Sequence, residues 1–576
     1  MTAAAPETTQ GGTVAIWSRA AYAVSALVLV WLILLPFGAI FLTSFLEGDG
    51  GLSAYAEFLA SRSLRTATWN SILVAMGLAG LSAVIGTALA FGVARTRMRF
   101  KGLVRVTMIL ALISPEFLLA MGYILLAGPN VGYANIVLRE LFSMDVRTGP
   151  FDIYTLWGLV FTALPSGVSF VFLALVPAFG SMDPALEDAA RLKGASPLRT
   201  IATVTLPLAR PAILAGTLLA FATSLAMYGP PEMLGIPVLT VSIRESLLGL
   251  DFDEASVAAV VLVGISILAL LLQRYGIRHP ERYRTISGKA FAARTLDLGW
   301  PEHLLTAFGL LYVGVALILP YGTMLAVSLM KSIGNGFTAD NWTLANFSTI
   351  LGDDSIRKAV FLSLRLAAAS AAVVAVFGVI VAYVVVRTRQ PGRAILDYIS
   401  VLPLAVPGTA LAFALIVIYL SEPFRLLGFY GTPAILLLAY LARFIPLGVR
   451  NSQSALLQVS PELEEASRVF GAGELSTLLR ITLPLILPAF VYTFLLVFVL
   501  AIPELSASIV LRGFDTQTIA TSVLSVWNGN GGLAVACAYG ISIFVTVSLL
   551  FLLALLARRL AAAWGGQADA APAATH

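Results

Sequence analysis

The sequence predicts an all-α polytopic membrane protein made of two tandem six-helix halves, and three observations carry that reading. Hydrophobic residues fill 59% of the 576 positions and charged residues only 12%, whereas a water-soluble domain carries roughly a quarter charged residues. Twelve apolar runs follow one another, each near the roughly 20 residues that a helix needs to cross a bilayer. Residue patterns of the first six runs return in the second six. Because hydrocarbon leaves every backbone polar group to be bonded within the protein, spanning segments are helices or closed barrels. Barrel strands alternate polar and apolar residues over ~10 positions, a pattern missing from this sequence.

Residues 1–19 read as a cytoplasmic tail. Its first 17 residues are polar, alanine-rich and uncharged apart from Glu7; lacking the basic start of a signal peptide, they make the first apolar run a retained anchor. The first half, 20–274, has its runs near 20–45, 67–94, 103–127, 154–180, 208–228 and 255–273. A linker, 275–303, precedes the second half, 304–558, with runs near 304–330, 359–386, 395–420, 431–449, 485–502 and 532–557. Residues 559–576 form a second tail. The lone cysteine, Cys537, falls in the last run, which rules out a disulfide within the chain.

The net charge of +5 is modest, and its placement sets topology instead of marking a nucleic-acid surface. Arg95, Arg97, Arg99, Lys101 and Arg105 surround the turn after the second run, and Arg387, Arg389 and Arg393 occupy the matching turn of the second half. Arg274, Arg278, Arg282, Arg284, Lys289 and Arg294 fill the linker, and Arg558 and Arg559 follow the last run. The opposite side collects Glu47, Asp49, Asp251, Asp253, Glu254, Asp340, Asp353, Asp354 and Glu422. Cationic residues are retained inside, so both termini and the linker are expected in the cytoplasm.

The repeat is visible residue by residue. Segment 188–207 aligns without a gap to 465–484, 277 positions later, whereas Arg95-Thr96-Arg97 and Pro115 match Arg387-Thr388-Arg389 and Pro407 at 292. The first half therefore carries 15 extra residues, expected in the external loop around 129–152. An even number of helices per half makes the repeats parallel, with an axis along the membrane normal and a pathway between them.

After the fourth run of each half comes a short polar segment: Asp183-Pro184-Ala185-Leu186-Glu187-Asp188-Ala189-Ala190-Arg191-Leu192-Lys193-Gly194, ending at Leu206-Pro207, and Ser460-Pro461-Glu462-Leu463-Glu464-Glu465-Ala466-Ser467-Arg468-Val469-Phe470-Gly471, ending at Leu483-Pro484. Asp183 and Ser460 suit N-caps, Pro184 and Pro461 suit the first helical position, and the acids that follow favour a helix N-terminus. Leu186, Ala189 and Leu192, like Leu463, Ala466 and Val469, make a narrow apolar stripe opposite the charges. Gly194 and Gly471 break each helix and turn the chain into a second short helix that leads to the prolines.

The spacing Glu-Ala-Ala, three residues, Gly, nine residues, Ile, one residue, Leu-Pro resembles the loop shared by permeases of binding-protein-dependent (type I) ABC importers. The second copy matches at Glu465, Ala466, Ser467, Gly471, Ile481, Leu483 and Pro484; the first matches at Asp188, Ala189, Ala190, Gly194, Val204, Leu206 and Pro207, with conservative departures. The resemblance covers about 20–558 and implies tandem permease halves whose short helices, including Glu187 and Glu464, are ATPase-coupling elements. It also implies a cytoplasmic ABC ATPase in two copies and a periplasmic or surface-tethered binding protein as partners, in the inner membrane of a bacterium. The chain itself reads as a non-catalytic transport subunit. It has no Gly-x-x-x-x-Gly-Lys-Ser/Thr loop, so hydrolysis, with its ATP and Mg, is expected on the partner, and no cofactor is expected here.

Leu402-Pro403-Leu404-Ala405-Val406-Pro407-Gly408 and Glu504-Leu505-Ser506-Ala507-Ser508 look most like the ferric iron branch. Related branches carry polyamines, thiamine, phosphonates and sugar phosphates. Pro231-Glu232 and Pro503-Glu504 recur after the fifth run of each half, 272 positions apart. An acid near the membrane is costly unless it faces water or a partner. Glu232 and Glu504 thus either flank the pathway near its external end and favour cationic cargo, or each caps the following short helix or pairs with a nearby base such as Arg244 or Arg512. Glu116, after Pro115, is a third pathway candidate, with Arg443 as an alternative partner. The three histidines, His279, His303 and His576, form no metal-ligand spacing, so iron coordination is expected on the binding protein. An ion-coupled secondary transporter is a rival class, as is a non-transporting membrane scaffold.

Overall fold

Proline governs where the helices of this chain widen and bend. A computed structural model describes residues 10–46, 52–144, 148–276, 296, 298–529 and 532–568. The expectations placed on Glu7, Glu47, Asp49, the linker cations from Arg278 to Arg294, His279 and His576 lie outside the described residues, as do the side chains of Arg274, Arg558 and Arg559.

Among the described residues, ten helices are long and apolar enough to cross a membrane: Trp17–Phe45, Arg62–Arg95, Leu156–Gly180, Pro197–Leu225, Phe252–Leu272, Pro301–Ser328, Asp354–Arg387, Pro433–Leu456, Glu474–Ala501 and Leu533–Leu556. Two further spans are broken. Lys101–Ile113 meets Glu116–Ala127 at 108°, and Arg393–Leu404 meets Gly408–Leu420 at 110°. Counting each broken pair once gives the six-plus-six pattern. The third helix of each half, read from sequence as continuous, is interrupted because Pro115 and Pro407 lack an N–H and force extended backbone on the residue before them. Ser114 and Val406 have ψ values of 126° and 123°.

Four other prolines are absorbed without a break. Each follows a five-residue π-turn and a leucine: Val30–Leu34 before Leu35-Pro36, Ile201–Thr205 before Leu206-Pro207, Gly314–Ile318 before Leu319-Pro320, and Leu478–Thr482 before Leu483-Pro484. In each, the leucine N–H bonds five residues back, to Val30, Ile201, Gly314 or Leu478. The wider turn makes room for the proline ring, which in a regular helix clashes with the carbonyl four residues back. This revises the second short helix: Pro197–Thr200 and Glu474–Thr477 run on through the π-turn as the start of helix five.

The chain forms two compact units that exchange their leading helices. One gathers residues up to Leu42 with Ser355–Thr521 and residues from Thr546; the other is Thr43–Asp354 with Ser522–Val545. The compact units therefore differ from the sequence halves. In the first unit, Trp17 packs edge-on to Tyr383 at 5.5 Å and Gln390 donates to Ser18 at 3.3 Å. In the other, the N–H groups of Arg97 and Arg99 donate to Glu302 and Thr306 at 3.3 and 3.2 Å, and the Tyr123 hydroxyl donates to the Val315 carbonyl at 2.9 Å.

Small residues set the closest helix approaches, as expected where lipid tails offer no hydrophobic drive for helices to associate. A Cβ on Gly378 would lie 2.5 Å from the carbonyl carbon of Gly448, and one on Gly86 would lie 2.7 Å from Cβ of Val171. The extra loop of the first half contains the helix Tyr133–Leu141. Asn135 ties its base together, donating to Gly128 and Phe151 carbonyls at 2.9 and 2.7 Å and accepting the Phe151 N–H at 3.0 Å.

Candidate functional site

The two short segments fold as the sequence predicts locally. Asp183 caps Pro184–Leu192 by accepting the Ala185 N–H at 2.9 Å, and Ser460 caps Pro461–Val469 by accepting that of Glu462 at 3.3 Å. Both helices end on a left-handed glycine, Gly194 at φ +82° and Gly471 at φ +85°. The next N–H, of Ala195 or Ala472, reaches back to the carbonyl of Ala190 or Ser467 at 3.1 Å in each case, the Schellman closure that glycine permits.

Their amphipathicity is inverted relative to a soluble helix. The apolar stripe points outward: Leu186 and Leu463 are exposed, and Leu192, Val469 and Phe470 are 90%, 84% and 91% exposed. Ala189, Ala466 and Glu465 are exposed as well, and Asp188, Ala190 and Ser467 are half-buried. The acids one position earlier face inward, with Glu187 only 5% exposed and Glu464 only 1%. Exposed large apolar groups over a buried acid reverse the arrangement expected of a helix that packs only against its own chain.

Each buried acid meets the same two partners. Glu187 is ion-paired with Arg95, itself fully buried at the end of helix two, and accepts the Thr205 hydroxyl at 2.8 Å. Arg95 also donates to the Phe179 carbonyl at 3.4 Å, in the last turn of helix four. Glu464 accepts from Arg387 Nε at 3.1 Å and from the Thr482 hydroxyl at 3.0 Å. Arg387 spans further to the carbonyls of Leu456 and Val459 at 2.8 and 2.7 Å. Arg95 and Arg387, read from sequence as topology markers, are thus structural cations that satisfy carbonyls at helix ends.

Leu206, Pro207, Leu483 and Pro484 lie just after the π-turns within helix five, off the exposed stripe. Leu483 packs against the cluster of Val379, Ala382, Tyr383, Leu456, Leu478 and Ile486. Sequence reasoning passed over Thr205 and Thr482, although both, like Glu187 and Glu464, are identical 277 positions apart.

The pathway candidates are paired. Glu232 meets Arg244 at 3.3 Å, and the Arg244 guanidinium lies 5.9 Å from the Tyr228 ring centroid. Glu504 is buried and accepts the N–H groups of Ala507 and Ser508, both at 3.1 Å, and the Ser508 hydroxyl at 2.9 Å. Arg443 lies 3.7 Å from the same carboxylate. Glu504 thus caps the turn that follows it, and the base beside it is Arg443, which the sequence reading sets against Glu116. Glu116 opens the first turn after the break in helix three. At the matching position, Gly408, a Cβ would fall 2.7 Å from the Arg443 guanidinium and 3.0 Å from Cβ of Ser506, so a side chain there would require Arg443 to move. Among the described residues, no group of three or more His, Cys, Asp and Glu residues is placed to hold a metal ion.

Residues 82–278 and 375–562 each match the family described as binding-protein-dependent transport system inner membrane component. The chain belongs to this family. It is therefore a multi-pass inner membrane permease with two tandem copies of the transport domain. The permease is 27% identical over 541 residues to the ferric transport system permease protein FbpB of Actinobacillus pleuropneumoniae, covering 92% of this chain and 76% of that one. It is 24% identical over 524 residues to the Fe(3+)-transport system permease protein FbpB 2 of Haemophilus influenzae, covering 88% and 93%. Among solved structures, a bacterial ABC transporter involved in the import of the acidic polysaccharide alginate matches at 19% identity and a TM-score of 0.37, over 45% of this chain and 96% of that one.

Proposed function

We propose that this permease carries ferric iron inward, receiving it from a periplasmic or surface-tethered binding protein and driven by two copies of a cytoplasmic ABC ATPase that dock on Pro184–Leu192 and Pro461–Val469. The observation that carries the reading is the repeated inversion on those helices, with Leu192, Val469 and Phe470 exposed over buried Glu187 and Glu464. An apolar helix face of this kind fits a groove on a partner. The printed names of relatives that align over most of the chain support ferric iron as cargo. ATP and Mg belong to the partner, and this chain holds no cofactor of its own. Both termini face the cytoplasm, on the side where the arginines gather.

The carboxylates of Glu232 and Glu504 act as internal pairs that shape the ends of helix five, and cargo coordination stays with the binding protein.

Reconstitution into vesicles with the co-purifying ATPase and binding protein tests the proposal. Iron-loaded binding protein should stimulate both ATP turnover and iron accumulation. Uphill uptake without an ATPase would support an ion-coupled carrier instead. Stimulation by a polyamine, thiamine or phosphonate but not by iron would replace the cargo.

A further inference from the structure

The docking helices could bind a partner without any buried charge, yet each holds one. A carboxylate withdrawn from water must recover its lost solvation from fixed partners, and here those partners belong to different helices. In the first half, Glu187 gives one oxygen to Arg95 of helix two and the other to Thr205 of helix five. In the second half, a single oxygen of Glu464 takes both Arg387 and Thr482. The arginines then reach the ends of helix four, at Phe179 in one half and at Leu456 and Val459 in the other. One acid thereby ties the docking helix to three membrane helices.

The threonines sit at a telling place. Thr205 and Thr482 are the last residues of the π-turns that precede Leu206-Pro207 and Leu483-Pro484. The wider turn and the missing proline N–H interrupt the regular backbone bonding there, and Pro211 and Pro488 remove a further N–H one turn later. A side-chain link placed at that point acts on the helix beside a stretch of weakened bonding. A link that only stabilised the fold would work as well on any turn, and both halves place it on this one.

We propose that Arg95–Glu187–Thr205 and Arg387–Glu464–Thr482 are positioning residues that pass displacement of each docking helix into helices two and five. This deepens the ATPase-docking reading and rests on it. The exposed stripe receives force and the buried hub on the opposite face distributes it.

The test uses the full-length permease with its ATPase and iron-loaded binding protein in vesicles, reading iron accumulated per ATP hydrolysed. Thr205→Val and Thr482→Val, singly and together, keep side-chain shape and the arginine–glutamate pair but remove the hydroxyl link. In the double variant the ratio should fall about 5-fold, the low end of common coupling strengths, and Thr→Ser at both positions should restore it. An unchanged ratio in the double variant would overturn the proposal. If the double variant does not assemble, an unchanged ratio in both single variants would overturn it equally. Loss of ratio that serine does not rescue would also count against the hydroxyl link. If the unaltered permease accumulates iron without nucleotide, the docking reading falls first and takes the hub with it.

Discussion

Phe470, which ends the helix Pro461–Val469, is the most exposed large apolar side chain of the two proposed docking segments, at 91%, and it follows Val469 at 84%. Its counterpart 277 positions earlier is Lys193, so the second docking helix offers an aromatic group where the first offers an ammonium. Burying a phenylalanine side chain is worth about 1.5–3 kcal/mol, and nearly all of that remains available in the permease alone. Ordering the side chain on binding offsets about 0.5–1.5 kcal/mol, which leaves roughly 1–2 kcal/mol for the contact. Phe470→Ala should therefore weaken ATPase binding roughly 5- to 30-fold. Titrating labelled ATPase onto detergent-solubilised permease gives the Kd, and a thermal melt of the permease alone serves as control. Because the ring packs on little of its own chain, Tm should stay within about 1 °C of the parent, consistent with a surface substitution. A Kd unchanged within about twofold would refute the assignment of this face to docking. A large drop in Tm with no change in Kd would show instead that Phe470 serves the fold.

Two further outcomes follow from packing and pairing. Gly378→Ala should lower the melting temperature of the solubilised permease, since its Cβ would meet the Gly448 backbone at 2.5 Å and overpacking costs about 1–3 kcal/mol; Gly80→Ala, with open space around it, should hold or raise stability by about 0.5–1 kcal/mol through helix propensity, and the reverse order would contradict the close approach. Glu504→Gln keeps one acceptor oxygen but turns the other into an NH2 donor facing an N–H it used to accept, and should cost about 1–3 kcal/mol, whereas Glu232→Gln, about a fifth exposed with its arginine, should cost under about 1 kcal/mol; iron uptake abolished by Glu232→Gln in a stable permease would return that acid to the pathway.

Much of the geometry of the two short capped helices was legible from local rules. Asp183, Ser460, Pro184, Pro461, Gly194 and Gly471 act within one turn of their own position, so caps, first-turn prolines and left-handed ends follow from residue type and order alone. The same holds for the spans, because hydropathy and length are properties of a contiguous run. Glu187 and Glu464 were less legible. Placed beside Asp188 and Glu465 they look like equal members of a charged face, and periodicity cannot say which member of the pair finds a buried arginine.

By itself the sequence determined that this is a membrane protein of two repeated six-helix halves, each with one capped, glycine-terminated helix after its fourth span. Only the tertiary structure decided that each compact unit draws its leading helix from the other half, that helix three is broken at Pro115 and Pro407, and that the acids before the motif are buried against arginines. Those facts depend on partners far away in the chain: Arg95 lies 92 residues from Glu187, and Arg387 lies 77 from Glu464. Pairing of that range is fixed by which helices lie side by side, and no window of sequence contains it.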